Sequence, residues 1–278
     1  MSKIFFSIAL IGLFISVGSY RASAQNAPTI EPVSVCVEDR FWPPGSFFLN
    51  GKALGTHVEI VRNAFEQVAI PFTFIKMPWK RCLAALKTGE LDAVISISYL
   101  ESRNKAFYYP KGATSNTPHP QSIEQVDFVL VTKEGYPVGD IMNGAIPPQP
   151  IGVPLGYMSA ERMEKTGAQV VQLMNHQDLF DLLQRGRVNS LILAKPLVDF
   201  FITQSNYEAQ FKQTRLPDHS GPLYLAFSRK SKLSEEKMQA IWTAIEAVHA
   251  DADLLAKLTA LSYSQATVCV HNLTKCQH

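Results

Sequence analysis

Apolar residues recur along the chain in two periods, which predict strands and helices in alternation. β-Branched residues at 33–37 predict a first strand, and apolar positions at helical spacing over 57–68 predict the helix that follows. The same reasoning predicts a strand over 72–75, a helix over 80–88 and a strand over 92–97. This β-α-β-α-β order is typical of a parallel sheet covered by helices, so the first half of the chain is predicted to be α/β.

The order repeats after a stretch rich in Pro and Gly at 135–150, which predicts two similar α/β units with the second inserted into the first. Ser234 is predicted to cap a late helix, because Glu235 and Glu236 occupy its first turn, where acids are favoured. The other predicted elements are strands at 126–132, 151–153, 170–173, 188–193 and 223–228, and helices from about Ala160, at 178–185 and at 251–261.

The first 24 residues have the features of a secretory signal peptide. Lys3 precedes an apolar run at 4–17, and Ala-Ser-Ala at 22–24 provides a small-x-small cleavage site. A membrane anchor is the alternative, but the run is short for a bilayer span. The cleavage site has no Cys to carry a lipid, so a lipid anchor is not expected. Residues 1–24 are therefore predicted to be removed on export to the periplasm.

The charge of the chain argues against two classes of partner. The sequence has 26 basic and 24 acidic residues, and loss of the signal peptide would remove Lys3 and Arg21, leaving 24 of each sign. Neither a basic face for nucleic acid nor a polybasic patch for a membrane surface is therefore expected. With 46% hydrophobic residues the chain can bury a substantial core. We expect the protein to be a monomer.

An even number of cysteines in an exported protein favours disulfides. Three pairings are open, and the one we expect joins the first strand to the helix predicted at 80–88 and closes a short loop at the tail. These pairs are Cys36–Cys82 and Cys269–Cys276. A metal site with His271 and His278 is the alternative, but the spacing matches no closed zinc site. Redox chemistry is not expected either, because the sequence contains no Cys-x-x-Cys. No metal and no cofactor are expected.

The stretch 78–110 carries a more specific pattern. A helix ends at Gly89, then come Asp92, an apolar strand, a polar turn with Arg103, and a short strand that ends at Tyr-Pro. This stretch resembles the ligand-binding core of the bacterial extracellular solute-binding proteins of the polar amino acid type, family 3. Pro-Trp-x-Arg-Cys at 78–82 is similar to a signature of one branch of that family. The resemblance extends over about 33–261.

The resemblance implies a two-lobed, periplasmic-binding-protein-like fold of type II, with a ligand cleft between hinged lobes. Lobe 1 would comprise residues 26–126 and 228–278, and lobe 2 would comprise 127–227. Crossing strands near Asp127 and Phe227 would serve as the hinge. Ligands of such sheets bind at the carboxyl ends of the strands.

The resemblance also implies binding residues on lobe 1. Arg103 would grip a ligand carboxylate through its planar guanidinium, and a surface arginine paired with Glu101 is the alternative. Other contacts would come from the same strand end, from the loop after the first strand and from the start of the second helix. The residues expected to make them are Ser96, Ser98, Tyr99, Asp39, Trp42, Trp79 and Arg81.

On lobe 2 the resemblance implies an anion contact at a helix start, where backbone N–H groups are free. One departure concerns the ligand's ammonium group, because this chain has Ala194 where amino-acid binders carry an Asp. Lys195 follows and would favour a more anionic ligand or face solvent, and Glu38 or Asp39 could replace the missing acid. The residues expected at the helix start are Gly156, Tyr157, Met158 and Ser159.

The function implied is capture of a small carboxylate-bearing solute in the periplasm, by lobe closure, for the membrane permease of an ABC importer. A ligand-binding sensor module for a separate signalling protein is one alternative. A dehydratase-type enzyme that uses Glu38 or Asp39 as acid or base is another. The seven histidines are scattered, and neither Gly-x-Ser-x-Gly nor His-Glu-x-x-His occurs, so an enzyme is not expected.

Overall fold

Two mixed sheets with their helices, and a small hairpin, form the fold in a computed structural model that describes residues 31–205, 209–271 and 276. The predicted signal peptide at 1–24 lies outside these residues. The strands are β1 (Val33–Glu38), β2 (Phe47–Leu49), β3 (Lys52–Leu54), β4 (Phe72–Met77), β5 (Ala93–Ser98), β6 (Phe107–Tyr108), β7 (Glu124–Val126), β8 (Phe128–Lys133), β9 (Ile151–Pro154), β10 (Val170–Leu173), β11 (Ser190–Ala194), β12 (Phe211–Arg215) and β13 (Gly221–Ser228). The helices are α1 (Thr56–Gln67), α2 (Trp79–Thr88), α3 (Glu101–Asn104), α4 (Met158–Lys165), α5 (His176–Gln184), α6 (Lys195–Ser205), α7 (Glu235–Ala250) and α8 (Ala252–His271).

The two large sheets share one topology. The first has the order β4-β1-β5-β13-β6, with β7 also paired to β13, and the second has the order β10-β9-β11-β8-β12. In the first sheet β4, β1 and β5 are parallel and β13 is antiparallel to β5. In the second sheet β10, β9 and β11 are parallel and β8 is antiparallel to β11. The α/β fold and the repeat predicted from the apolar pattern are thus confirmed.

The chain passes between the two sheets twice. β7 ends at Val126 in the first sheet and β8 begins at Phe128 in the second, so this crossing falls at Asp127, the expected position. The return crossing lies at 216–220, between β12 and β13. It does not lie near Phe227, because Phe227 pairs with Ala93 inside the first sheet. The lobe boundaries themselves stay a prediction.

Each sheet buries its own core. The first sheet packs against α1 and α7 through one cluster of apolar side chains and against α2 through another, and the second sheet packs against α5 and α6. Ser234 caps α7 by accepting a hydrogen bond from the Lys237 N–H, as its sequence context predicts. Each fully buried Leu, Ile or Phe contributes about 1.5–3 kcal/mol, so these cores dominate stability. No helix in the described ranges is long and apolar enough to span a bilayer.

Two disulfides link elements of the described chain covalently. Cys36–Cys82 joins β1 to α2, and Cys269–Cys276 closes a loop at the end of α8. Both predicted pairs are confirmed. Phe200 of α6 contacts the ring of Tyr263 in α8, so α8 also packs on α6.

Candidate functional site

A cavity of about 50 Å³ lies between the two sheets, at the carboxyl ends of β1 and β5. Ligands of α/β sheets bind in this position. Its volume has room for a few water molecules, so a solute the size of an amino acid requires the lobes or the lining side chains to move apart. The cavity is lined by Glu38, Trp42, Ser46, Trp79, Ile95, Ser96, Ser98, Arg103, Phe128, Tyr157, Met158 and Leu223.

Arg103 is the cation of this cavity. It lies in α3, directly after β5, and its Nη1 donates a hydrogen bond to the Ser98 carbonyl at 3.1 Å. Its guanidinium also lies 6.0 Å from the ring of Trp79, close enough for a cation–π contact. Burial lowers the pKa of Arg103, and Tyr109 and Glu161 offset part of this effect. An arginine nevertheless stays charged in a protein, so the cavity holds a positive charge.

No carboxylate of the described residues forms an ion pair with Arg103. The alternative partner, Glu101, accepts a hydrogen bond from the Tyr99 hydroxyl at 2.8 Å instead. The guanidinium has five N–H donors, and one of them is used by Ser98. Arg103 can therefore offer two parallel hydrogen bonds to an incoming carboxylate.

A buried polar cluster joins the two sheets beside the cavity. The Tyr157 hydroxyl donates a hydrogen bond to Glu38 Oε2 at 2.5 Å, and Arg40 Nη2 donates to the Leu155 carbonyl at 3.1 Å. Arg40 Nε also lies 2.9 Å from Glu38 Oε1, as an ion pair without the angle of a hydrogen bond. The pKa of Glu38 is raised to about 7, because burial raises it by more than the charge of Arg40 and the hydrogen bond from Tyr157 lower it.

His176 completes this cluster from the second sheet's side. Its Nδ1 donates a hydrogen bond to the Phe41 carbonyl at 3.0 Å, since a carbonyl oxygen only accepts. Burial lowers the pKa of His176 to about 4, so the imidazole is neutral at neutral pH. Its ring lies 6.0 Å from that of Tyr157, whose own pKa is raised by burial and by the charge of Glu38.

A second contact between the sheets joins the starts of α2 and α4. Trp79 Nε1 donates a hydrogen bond to the Gly156 carbonyl at 3.2 Å, and the Trp79 and Tyr157 rings meet edge-on at 6.1 Å. Both aromatic rings line the cavity. The cavity walls therefore come from both lobes and touch each other directly.

The family model of the bacterial extracellular solute-binding proteins, family 3, matches residues 33–254, which is most of the chain. The protein belongs to this family. The resemblance that the stretch 78–110 indicated is therefore confirmed. Membership of family 3 makes the protein a solute-binding protein. A comparison with curated protein sequences finds no significant match.

Solved structures similar to this family-3 protein confirm the predicted two-lobed fold. The arginine-, lysine-, histidine-binding protein ArtJ from Geobacillus stearothermophilus has a TM-score of 0.64 at 18% identity, over 82% of this chain and 93% of that one. The amino acid ABC transporter substrate-binding protein AbpA from Streptococcus pneumoniae, bound to L-arginine, has a TM-score of 0.63 at 16% identity, over 85% and 95%. A histidine kinase sensor domain has a TM-score of 0.64 at 18% identity, over 83% and 95%.

Most of the binding residues predicted for this family-3 protein lie at the cavity. Gly156 lies in the turn before α4, and Ser159 lies in its first turn, where its buried Oγ has no partner among the described residues. Their roles in binding stay predictions. The predicted binding residues that line the cavity are Trp42, Trp79, Ser96, Ser98, Arg103, Tyr157 and Met158.

Other predicted binding residues of the family-3 protein are not among the residues that line the cavity. Lys195 is exposed and forms an ion pair with Asp199 at 2.5 Å, and Arg81 is exposed on α2. Asp39 follows β1 and is half-buried, and Tyr99 is half-buried with its hydroxyl on Glu101.

Sequence reasoning missed several lining residues of this family-3 protein. Phe128 begins β8 just after the crossing, and Leu223 lies in β13 opposite Ser98. Ser46 and Ile95 carry no motif that would single them out. Glu38 is expected from the sequence as a substitute for a missing acid and as a candidate acid or base, but not among the binding residues; its position at the end of β1 is the signal that could have placed it at the cavity.

Proposed function

We propose that this protein captures a small carboxylate-bearing solute, an amino acid or a related anion, and delivers it to the membrane permease of an ABC importer. The observation that carries this proposal is Arg103, a half-buried guanidinium in the cavity without a carboxylate partner among the described residues. Burying a charge is costly unless it is paired. A ligand carboxylate would supply the missing charge.

The rest of the cavity suits a ligand with an apolar body and one or more N–H donors. The rings of Trp42, Trp79 and Tyr157 would cover the apolar part, and Glu38 and the hydroxyl of Ser98 would face its polar part. With one basic and one acidic side chain in the lining, the cavity matches a zwitterion better than a dianion. Ala194 is the position where the resemblance places the family's acidic residue, so the first lobe would have to bind the ammonium group.

Closure would follow from contacts that already join the lobes. Trp79 to Gly156 and Tyr157 to Glu38 are hydrogen bonds between the lobes that can form only when the lobes are together. A ligand that touches both walls favours this arrangement by its differential affinity for it. The permease would then recognise the closed form.

A sensor role is the second candidate, because a histidine kinase sensor domain has the same fold over 83% of this chain. Both roles require capture of the same solute and differ only in the partner. Uptake of a labelled ligand by cells with and without the gene separates them. Lost uptake supports the importer, and unchanged uptake with an altered transcriptional response supports the sensor.

Capture is tested by thermal unfolding of the wild type with L-amino acids, dicarboxylates, and amines that lack a carboxylate. A ligand at 100-fold excess over its Kd adds about 2.7 kcal/mol of stability, which raises the Tm visibly. We expect carboxylates alone to do so, and Arg103→Ala to weaken the best of them by about tenfold to a hundredfold. Arg187→Ala removes an exposed arginine and serves as the control. Stabilisation by amines alone, or an unchanged Kd in Arg103→Ala, would refute the proposal.

A further inference from the structure

His57 is a buried histidine that the cavity lining does not include. It lies in the first turn of α1 with no exposed surface, and its ring packs on that of Trp42 at 4.8 Å between centroids. The backbone N–H of His57 donates a hydrogen bond to the Gly45 carbonyl at 2.9 Å. A Cβ at Gly45 would lie 1.8 Å from the Trp42 ring and 2.9 Å from the imidazole, so only glycine fits there. Packing therefore holds the imidazole in one place.

Both nitrogens of this imidazole are in hydrogen bonds with side chains from distant parts of the chain. Nδ1 lies 2.8 Å from Ser96 Oγ, and Nε2 contacts Glu124 Oε2. The side chain of Glu124 is 34% exposed, so its carboxylate is partly solvated and only accepts hydrogen bonds in the ionised form. Nε2 must then carry the proton, since the partner of one ring nitrogen decides the tautomer. In the neutral form of the ring this proton is the only one, so Nδ1 is then an acceptor.

The consequence appears at Ser96, whose hydroxyl must donate to His57 Nδ1. The remaining lone pairs of Ser96 Oγ can then only accept, and Ser96 lines the cavity with its backbone in the left-handed region, at a φ of 60°. Such a backbone is uncommon for a residue other than glycine and often marks a functional position. A fixed acceptor thus lies near the end of β5, seven residues before Arg103 along the chain.

We propose that Glu124, acting through His57, holds Ser96 as a hydrogen-bond acceptor for the ammonium group of the ligand. His57 and Glu124 are then positioning residues that determine specificity, and Ser96 is the residue that touches the ligand. The inference rests on the proposed capture of a carboxylate and narrows its ligand to α-amino acids. An acceptor on the first lobe provides the contact that Ala194 does not provide on the second.

The first arm of the test needs no ligand. Two-bond ¹H–¹⁵N correlation spectra of protein labelled in its imidazoles report which nitrogen carries the proton, and His57→Phe assigns the signals. We expect Nε2 protonated and Nδ1 bare in the wild type, and both tautomers in Glu124→Gln, because an amide can accept or donate. A proton on Nδ1 in the wild type overturns the proposal. If His57→Phe does not fold, the spectral change in Glu124→Gln makes the assignment.

The second arm is calorimetry with matched pairs: L-glutamine against 5-amino-5-oxopentanoate, and L-arginine against 5-guanidinopentanoate. The wild type is expected to prefer the amine-bearing member by about tenfold to a hundredfold. Ser96→Ala should abolish this preference and Glu124→Gln should reduce it, both by weakening the amino acid alone. Asp127→Asn removes a carboxylate from the same crossing without touching His57, and should leave the preference unchanged.

The outcomes separate this inference from the proposed function. Equal binding of both members of a pair overturns the inference and leaves carboxylate capture intact. Equal weakening of both members in Glu124→Gln overturns it too, because a purely structural role would act in that way. A wild type that binds neither member also overturns the inference, while the wider ligand screen judges carboxylate capture on its own.

Discussion

Replacing Glu38 with Gln removes a buried carboxyl group that titrates between the two lobes. Glu38 is 8% exposed, and its two oxygens face Tyr157 and Arg40. Its pKa is raised from the ordinary 4.5 to about 7, first because burial disfavours the carboxylate. The folded protein therefore keeps a proton between pH 4.5 and 7 that the unfolded chain releases.

The sign and size of the effect follow from this difference. The contribution of Glu38 to stability is complete below about pH 4.5 and is lost as the pH rises through about 7. The difference between 4.5 and about 7 corresponds to about 3 kcal/mol of unfolding free energy. His176, whose pKa is lowered to about 4, acts in the opposite direction, since its contribution is lost as the pH falls. Because His176 is present in both proteins, its contribution cancels when the two are compared.

The assay is urea unfolding of the wild type and Glu38→Gln at several pH values from 4.5 to 8, followed by tryptophan fluorescence and extrapolated linearly. In Glu38→Gln a neutral amide faces Arg40 at every pH, so the variant lacks the titration of Glu38 while Arg40 stays charged in both proteins. The wild type should therefore lose about 3 kcal/mol relative to the variant between pH 4.5 and 8. Glu66→Gln, on the exposed side of α1, should show no such trend. A constant difference between wild type and Glu38→Gln would refute the reasoning.

Three further predictions concern stability. Changing Cys36 and Cys82 together to Ser opens a loop with a sequence separation of 46 and should cost about 4 kcal/mol in urea unfolding; a loss below 1 kcal/mol would contradict this. Trp79→Phe removes the donor to Gly156 and should cost about 1 kcal/mol, seen as a lower Tm than that of the wild type; an equal Tm would contradict it. Gly45→Ala places a Cβ 1.8 Å from a neighbouring tryptophan ring and should cost about 1–3 kcal/mol in urea unfolding, whereas wild-type stability would show that the loop adapts.

Periodicity in the sequence predicted the regular elements of the fold closely, because those elements bury one face. The strand predicted at 170–173 is β10, and the helix predicted at 80–88 differs from α2 by one residue. Periodicity failed for α6, where Leu197, Val198 and Phe200 are all buried, so the polar face of the helix is narrow. It also merged the end of β7 with β8, since the apolar pattern does not show that a strand changes sheets.

The candidate site was predictable where a local motif carried it. Arg103 and Ser98 lie within the stretch that resembles the family, and both line the cavity. The contacts of His57 with Ser96 and Glu124 join residues 39 and 67 positions apart, and no pattern in one sequence brings such residues together. Lys195 lies away from the cavity because α6 begins at that residue and carries its side chain toward Asp199.

The position of β13 sets the order in which this protein can fold. β13 lies between β5 and β6 in the first sheet, yet the whole second sheet, 128–215, precedes it along the chain. A growing chain that has not reached residue 228 therefore leaves β5 with β1 on one side and an open edge on the other, which can pair with another chain. Such long-range pairing is slow to form, and it delays the first sheet, whereas the strands of the second sheet are all present once residue 215 has been made. A fragment that ends after the first 126 residues would lack the strand that lies between β5 and β6, and residues up to 228 must be made before the first sheet can close.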